Sequence, residues 1–195
     1  IPLRLVGSEM CIRDRYYSSV EEAILNSPLN AENEEFSVPE DFLNHVDEIL
    51  HIWNGKQYDT IFYRAGSDND PVQGFVMARC KKQVEEATVQ YAFMNATPVT
   101  TKADSILISD ITELIHSSLK LSDFQQDLNP NYPDTRFVFG YAHDKEIYSL
   151  EVEGQKPDGV IEINVYDRTM YLWYYDDLKS DKRGNNLSYS VDMPE

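Results

Sequence analysis

Basic residues are scarce in this sequence. The chain has 195 residues, with 17 Lys and Arg against 34 Asp and Glu, which gives a formal net charge of −17 at pH 7. Proteins hold the phosphates of nucleic acids through clusters of Lys and Arg, and the sequence contains no such cluster. Anionic lipid headgroups are bound by the same kind of cluster. The charge balance therefore argues against nucleic acid and against anionic membrane surfaces as partners.

Long apolar runs are also absent. A helix that crosses a membrane needs about 20 consecutive, mostly apolar residues, and no run in the sequence approaches that length. The opening residues IPLRLV are too short for the apolar region of a signal peptide, and Glu9, Arg13 and Asp14 follow soon after them. We therefore expect no membrane span, and no signal peptide is visible.

Local signatures of catalysis and of nucleotide binding are missing as well. The sequence has no GxSxG nucleophile motif, no HExxH zinc motif and no GxGxxG or Walker phosphate loop, each of which is tied to a specific chemistry. The sequence thus predicts no catalytic residue, no cofactor and no metal site. A pair of catalytic carboxylates stays open, because separation along the chain does not determine the distance in space that a glycosidase needs.

Metal-ligand patterns are weak. His45 and His51 do not have the i, i+4 spacing of a helical zinc pair. The segment Asp68–Asn69–Asp70 fails the EF-hand calcium pattern, because Val72 stands at a ligand position. A looser calcium site could draw on the acidic residues of two loops, although solvated loops are the more common explanation of such residues. These acidic residues are Asp68, Asp70, Asp176, Asp177 and Asp181.

Cysteine occurs only as Cys11 and Cys80. Cys11 lies in LVGSEMCIRDR, residues 5–15, which resembles the conceptual translation of a sequencing-adapter remnant that recurs at the ends of unrelated metagenomic reading frames. The resemblance implies that residues 1–15 are not native and that the native segment before Tyr16 is missing. The alternative is an ordinary N-terminal strand with alternating apolar residues.

Excluding residues 1–15 leaves Cys80 as the single cysteine, in FVMARCKK. One cysteine cannot form an internal disulfide. A reactive thiolate needs a neighbouring base, and no histidine lies near Cys80 in the sequence. We expect Cys80 to be a small packed residue of a strand.

Aromatic residues, by contrast, are abundant at 12%, including 13 Tyr, and favour β structure. EILHIW and QYDTIFYR flank Asn54–Gly55, the preferred pair for a type I′ hairpin turn. A second hairpin is predicted from PVQGFVMARCKKQ and ATVQYAFMNATPVT across the polar turn at 83–86. Further strands are predicted from five later runs: RFVFGYAH, KEIYSLEVEG, VIEINVYD, TMYLWYYDD and LSYSVDM.

Helical patterns are short. YYSSVEEAILNS predicts a helix with Ser18 or Ser19 as its N-cap and acidic residues in its first turn. A second helix is predicted from Pro39 to Val46. A third is predicted from about Asp110 to Leu119, after a short strand or turn at 106–108.

These elements predict an α+β fold that is mainly antiparallel β, as a twisted sheet or β-sandwich with two or three short helices. The spacing of about ten residues per strand in the last third is typical of sandwiches and small barrels. Three regions are predicted: a non-native segment at 1–15, a short helix and acidic linker at 16–38, and a single β-rich globular domain at 39–195.

The stretch FVFGYAHDKEIYSLEVEGQKPDGVIEINVYDRTMYLWYYDDL, residues 137–178, loosely resembles uncharacterised extracytoplasmic domains of Gram-positive bacteria that are often lipid-anchored. The resemblance implies an extracytoplasmic location and an N-terminal membrane anchor, whereas a cytoplasmic location is the alternative. Those domains have no established activity, so no functional residue is carried over. The lipobox cysteine that the resemblance implies is not in the sequence, and we expect it in the missing native N-terminus.

One strand predicts a binding site. Tyr171, Trp173 and Tyr175 alternate and so share a face. Exposed, they form an aromatic platform for a sugar ring or an extended peptide, with Tyr141, Tyr148 or Tyr166 as candidate neighbours; buried, they belong to the core. The sequence therefore predicts a non-catalytic role in binding or surface assembly, with a polysaccharide, a peptide or another surface protein as partner. The alternative is a carboxylate-dependent hydrolase or carbohydrate-acting enzyme.

Overall fold

The structure is a computed structural model, and it describes the chain in several stretches. These are residues 15–27, 42–55, 57–66, 73–98, 110–127, 136–165, 168–182 and 186–193, with side chains described only as far as 120 in the fifth. Several sequence predictions lie outside the described residues, namely those on 1–14, 28–41, 68–70 and 106–108 and on Tyr166.

The chain divides into two compact units, residues 1–105 and 106–195. The first contains an α-helix, α1 (Val20–Leu25), and the strands β1 (Glu48–Asn54), β2 (Tyr58–Ala65), β3 (Gly74–Glu85) and β4 (Thr88–Pro98). These strands form one antiparallel sheet in the order β1-β2-β3-β4. Each strand therefore pairs with the one that follows it, as the predicted hairpins require.

Among its described residues, the second unit contains a helix, α2 (Ile111–Asp127), and five strands. They are β5 (Val138–Ala142), β6 (Glu151–Val152), β7 (Gly159–Val165), β8 (Arg168–Tyr175) and β9 (Tyr189–Ser190), with a 3₁₀ helix at Lys145–Ser149. β5, β8 and β7 form a three-stranded antiparallel sheet in that order, and β6 pairs with β9. The α+β fold dominated by antiparallel β structure is thereby confirmed.

The four-stranded sheet belongs to the first unit, and the three-stranded and two-stranded sheets belong to the second. The boundary at 105/106 falls inside the region predicted as a single domain at 39–195. The helix predicted as part of a separate segment at 16–38 packs into the first core, because Val20, Ala23 and Ile24 are buried in it. The structure therefore differs from the predicted domain organisation.

The predicted N-terminal helix forms, with Ser19 as its N-cap. The Ser19 hydroxyl accepts the Glu22 N–H at 3.2 Å, and the Glu22 carboxylate in turn accepts the Ser18 N–H at 3.2 Å. The first bond satisfies a backbone donor that the first helical turn leaves without a partner, and the second joins the residue before the N-cap to that turn. Just before the helix, Tyr17 exchanges two backbone hydrogen bonds of 2.8 Å with Tyr91 of β4.

The hairpin at Asn54–Gly55 forms, but with a longer loop than a type I′ turn. Asn54 still belongs to β1 and pairs with Asp59, so the connection exceeds two residues. The Asp59 carboxylate accepts the Gly55 N–H at 3.0 Å and the Lys82 ammonium at 2.8 Å. The buried carboxylate thus holds the loop in place, which the Asn-Gly pair alone does not predict.

Two other sequence predictions are wrong. Residues 42–44 form a turn rather than the end of a helix over 39–46, because the segment leads directly into β1. The run KEIYSLEVEG is mostly not a strand: Lys145–Ser149 is a 3₁₀ helix, and only Glu151–Val152 is extended. The buried side chains of Ile147 and Leu150 anchor this helix in the second core.

The helix α2 begins at Ile111 and extends beyond the predicted end at Leu119. Asp110 precedes it, and its carboxylate accepts the Thr112 N–H at 2.8 Å and the Thr112 hydroxyl at 2.6 Å. Ile111, Ile115 and Leu119 are buried in the second core, as the helical spacing predicts. No helix in the described part of the chain combines the length and the apolar character needed to cross a membrane.

Candidate functional site

The predicted aromatic platform on β8 does not form. Trp173 is 0% exposed and Tyr175 is 2% exposed, whereas Tyr171 is only half-buried. All three share one face of the sheet, and buried residues of that face belong to the same core as those of α2. The prediction of an exposed strip is therefore wrong, and the alternative, that these residues are core, holds for Trp173 and Tyr175.

Tyr175 has a structural role that explains its burial. Its hydroxyl donates to the Gln155 carbonyl at 2.9 Å and accepts the Val152 N–H at 3.1 Å. Its ring meets that of Trp173 edge-on, with centroids 6.2 Å apart. Burial raises the pKa of Tyr175 well above its usual range, so the phenol stays neutral and keeps both bonds.

A smaller site remains at the accessible end of this face. Tyr171 pairs across the strands with Glu162 of β7. The Tyr148 hydroxyl donates to Glu162 Oε1 at 2.8 Å, and the Tyr148 ring meets the Tyr171 ring edge-on at 5.6 Å. Tyr148 is 50% exposed and Glu162 is also exposed. We call Tyr148, Glu162 and Tyr171 the tyrosine–glutamate surface.

Two elements position this surface. β7 and β8 form a hairpin whose closing pair is Val165 and Arg168, and this register sets Glu162 directly opposite Tyr171. The 3₁₀ helix brings the third residue, since its buried Ile147 fixes the helix while the adjacent Tyr148 points to the surface. The site therefore combines a rigid sheet with a short anchored helix.

The electrostatic environment of the surface is negative. The pKa of Tyr171 is raised, first by burial and then by the charges of Glu162, Glu146 and Asp144. The pKa of Tyr148 is raised mainly by its hydrogen bond to Glu162. Both phenols therefore remain neutral at physiological pH, and their rings lie in a field set by carboxylates.

Aromatic rings next to a carboxylate favour cations. The face of a phenol ring attracts an ammonium or guanidinium group, by about 0.5–1 kcal/mol at an exposed site. An exposed ion pair contributes at most about 1 kcal/mol. The surface thus has the chemistry to bind a cationic side chain weakly.

The other candidate sites do not assemble where their residues are described. Among the residues with described positions, no three His, Cys, Asp or Glu side chains converge on a possible metal position. His45 contacts Asp47 at 2.9 Å. Asp177 accepts the Arg136 N–H at 3.1 Å and pairs with Lys179. The Asp68 and Asp70 candidates lie outside the described residues.

Cys80 is a free, buried cysteine. Burial, reinforced by the Asp59 charge, raises the pKa of its thiol to about 12. A thiol of that pKa is almost entirely protonated at neutral pH and is therefore a poor nucleophile. The neighbouring buried pair of Asp59 and Lys82, with side chains 1% and 16% exposed, was not predicted from the sequence.

Glu153 is a carboxylate whose pKa is strongly lowered. Hydrogen bonds from Lys182 and from the Ser188 N–H and hydroxyl lower its pKa to about 2. A general acid needs a pKa near the working pH, so the shift is opposite to what acid catalysis requires. Glu153 joins separate loops through these hydrogen bonds, and it is not a candidate catalytic acid.

Glu162 is the member of the site that the sequence analysis missed. Tyr148 is among the predicted neighbours of the platform, whereas Glu162 is not. Residues 162 and 171 are equidistant from the hairpin turn, so a two-residue loop between Val165 and Arg168 places them opposite each other. Counting residues outwards from that turn along both strands therefore identifies Glu162 and Tyr171 as a cross-strand pair.

A scan against protein-family models, a search of the curated proteins and a search of the solved structures each gave no match. The function must therefore be inferred from the residues of the chain itself.

Proposed function

We propose that this chain is a non-catalytic binding domain that acts outside the cytoplasm and holds a cationic group at its tyrosine–glutamate surface. The observation that carries the proposal is the grouping of two tyrosine rings with one carboxylate: the Tyr148 hydroxyl donates to Glu162 at 2.8 Å, and the Tyr148 ring centroid lies 5.6 Å from that of Tyr171. The exposure of Tyr148 and Glu162 supports access to the site from solvent.

The binding test uses the smallest suitable cation. N-acetyl-lysine amide is titrated into the protein at millimolar concentrations, and the ring signals of Tyr148 and Tyr171 are followed by NMR. We expect both signals to shift together with one dissociation constant. Replacing Tyr171 by Leu keeps apolar volume but removes the aromatic face, and we expect it to weaken binding about two- to fivefold.

The controls separate the charge from its position. N-acetyl-norleucine amide has nearly the same shape without the ammonium group, so it should cause no matching shifts. Glu113→Gln removes one exposed carboxylate from α2, at a position distant in sequence from Tyr148, Glu162 and Tyr171. This control variant should leave the affinity unchanged. Equal binding of lysine and norleucine derivatives would show that no cation is recognised.

The proposed location rests on the resemblance of residues 137–178 to extracytoplasmic domains. The full-length native gene provides the test. A lipobox cysteine or a signal peptide encoded upstream of residue 16 supports the location. A native start codon with no such segment contradicts it and leaves the binding proposal standing.

A further inference from the structure

The edge of the second sheet lies next to the tyrosine–glutamate surface. β7 is an outer strand, because the sheet order is β5-β8-β7. Among the described residues, β7 forms backbone strand pairs with β8 alone. In an antiparallel ladder, every second residue directs its N–H and C=O away from its partner strand. β7 thus presents a row of backbone donors and acceptors on its outer side.

Outer strands of this kind bind extended peptides by adding a strand to the sheet. The side chains of such a peptide alternate between the two faces, and one of them lies directly opposite Glu162 on the same face. Opposite charges in directly paired positions stabilise a sheet. A lysine or arginine at that position contacts the Glu162 carboxylate and reaches the ring of Tyr148.

We propose that the outer edge of β7 binds an extended basic peptide as an additional strand, with one Lys or Arg side chain at the tyrosine–glutamate surface. This inference rests on the proposed function and specifies the partner. Charge complementarity selects a basic peptide over an acidic one, since Asp144, Glu146 and Glu162 all act on Tyr171. The seven residues of β7 match the length of a short peptide strand.

The probe is a threonine-rich heptapeptide with one central lysine, Ac-TTTKTTT-NH2. Binding is measured by NMR, together with the hydrogen exchange of the backbone amides of β7. We expect slower exchange of alternate β7 amides, because the added strand protects those that point outwards. Replacing the lysine by norleucine should weaken binding about two- to fivefold.

A second peptide tests the backbone contribution separately. N-methylation at every second residue removes the donors of one peptide edge without changing any side chain. Each lost hydrogen bond weakens binding by about two- to tenfold, so we expect a loss of at least tenfold. Glu162→Gln should weaken the parent peptide about two- to fivefold, and Glu113→Gln should have no effect.

The outcomes distinguish the two proposals. If the methylated peptide binds as well as its parent, or the β7 amides gain no protection, strand addition is wrong and simple cation binding can still hold. If N-acetyl-lysine amide binds but the peptide does not, the inference also fails and the proposed function stands. If norleucine replaces the peptide's lysine without loss, the inference fails, and if N-acetyl-norleucine amide also binds as well as N-acetyl-lysine amide, the proposed function itself is overturned.

Discussion

Glu86 and Ala87 form the turn between β3 and β4 with positive φ angles of 46° and 74°. The turn is tight, because Glu85 pairs directly with Thr88. A left-handed conformation costs an ordinary residue about 1–2 kcal/mol, and Asn-Gly is the preferred pair for such a turn. The hairpin therefore forms in spite of its turn residues, since two long strands hold it.

Replacing Glu86 by Asn together with Ala87 by Gly should stabilise the protein. We expect the free energy of unfolding to rise by about 1–2 kcal/mol, because both new residues tolerate positive φ. Urea denaturation measures the change. As a control, Ala92→Gly in the middle of β4 should lower stability by about 0.5–1 kcal/mol. A loss of stability in the double variant would contradict the turn geometry.

Gly140 of β5 has a packing role rather than a conformational one. A Cβ atom at this position overlaps with the indole ring of Trp173 and with the hydroxyl of Ser118. Trp173 and Ser118 are both buried, so neither can move aside freely. Glycine at 140 therefore lets the helix α2 and the sheet approach each other closely.

Gly140→Ala should destabilise the protein by about 1–3 kcal/mol through overpacking. Trp173→Phe removes the part of the indole that the new methyl group meets, so the double variant should lose less than the sum of the two single losses. A double-mutant cycle of unfolding free energies measures this coupling. Additive losses would show that the contact with Trp173 is not the cause.

The two short strands of the second unit, β6 and β9, are held together by side-chain hydrogen bonds more than by the backbone hydrogen bonds between the strands. β6 and β9 have two residues each, too few for a stable pair in isolation. Glu153, next to β6, accepts the Ser188 N–H at 2.5 Å and the Ser188 hydroxyl at 2.7 Å, and it pairs with Lys182 at 2.8 Å. One carboxylate thus joins the turn after β6 to the segment before β9.

The stabilising effect of Glu153 should depend on pH. Its pKa falls from 4.5 to about 2 in the folded protein, so folding favours the charged form. The stabilisation is present above pH 4.5 and disappears as the pH falls towards 2. Glu153→Gln should flatten this part of the stability curve, as measured by urea denaturation between pH 2 and pH 5. An NMR titration that gives Glu153 an ordinary pKa would contradict the bonding pattern.

Across the whole molecule, negative charge dominates. The net charge is −17, so the excess carboxylates repel one another in a compact state. This repulsion lowers the stability of the folded protein without altering its fold. The same field attracts cations to the surface, in agreement with the chemistry of Tyr148, Glu162 and Tyr171. Solution conditions that screen charge should therefore change stability and binding in opposite directions.

Sodium chloride tests this expectation. Raising its concentration from about 0.01 M to 0.15 M shortens the Debye length from about 30 Å to 8 Å. We expect the urea midpoint of unfolding to rise, because self-repulsion is screened, while the affinity for the lysine peptide falls. A midpoint that falls with salt would show that favourable ion pairs, such as Asp59 with Lys82, outweigh the repulsion.

The sequence by itself determined the class of the fold and much of its local structure. Alternating aromatic and β-branched runs predicted antiparallel strands, and Ser19, Glu22 and Asp110 marked helix starts that the structure confirms. These features depend on neighbouring residues in the chain. Hydrogen bonds and side-chain periodicity act over a few positions, so the pattern of residues is sufficient to predict them.

Only the tertiary structure decided which surfaces are covered. Along β8, Met170 and Leu172 on one face and Trp173 and Tyr175 on the other are all buried. Alternation shows which residues share a face, but it cannot show which face water reaches when both faces are apolar. Burial depends on elements distant in sequence, such as α2. For the same reason, the approach of Tyr148 to Glu162 and Tyr171 became visible only in the folded chain.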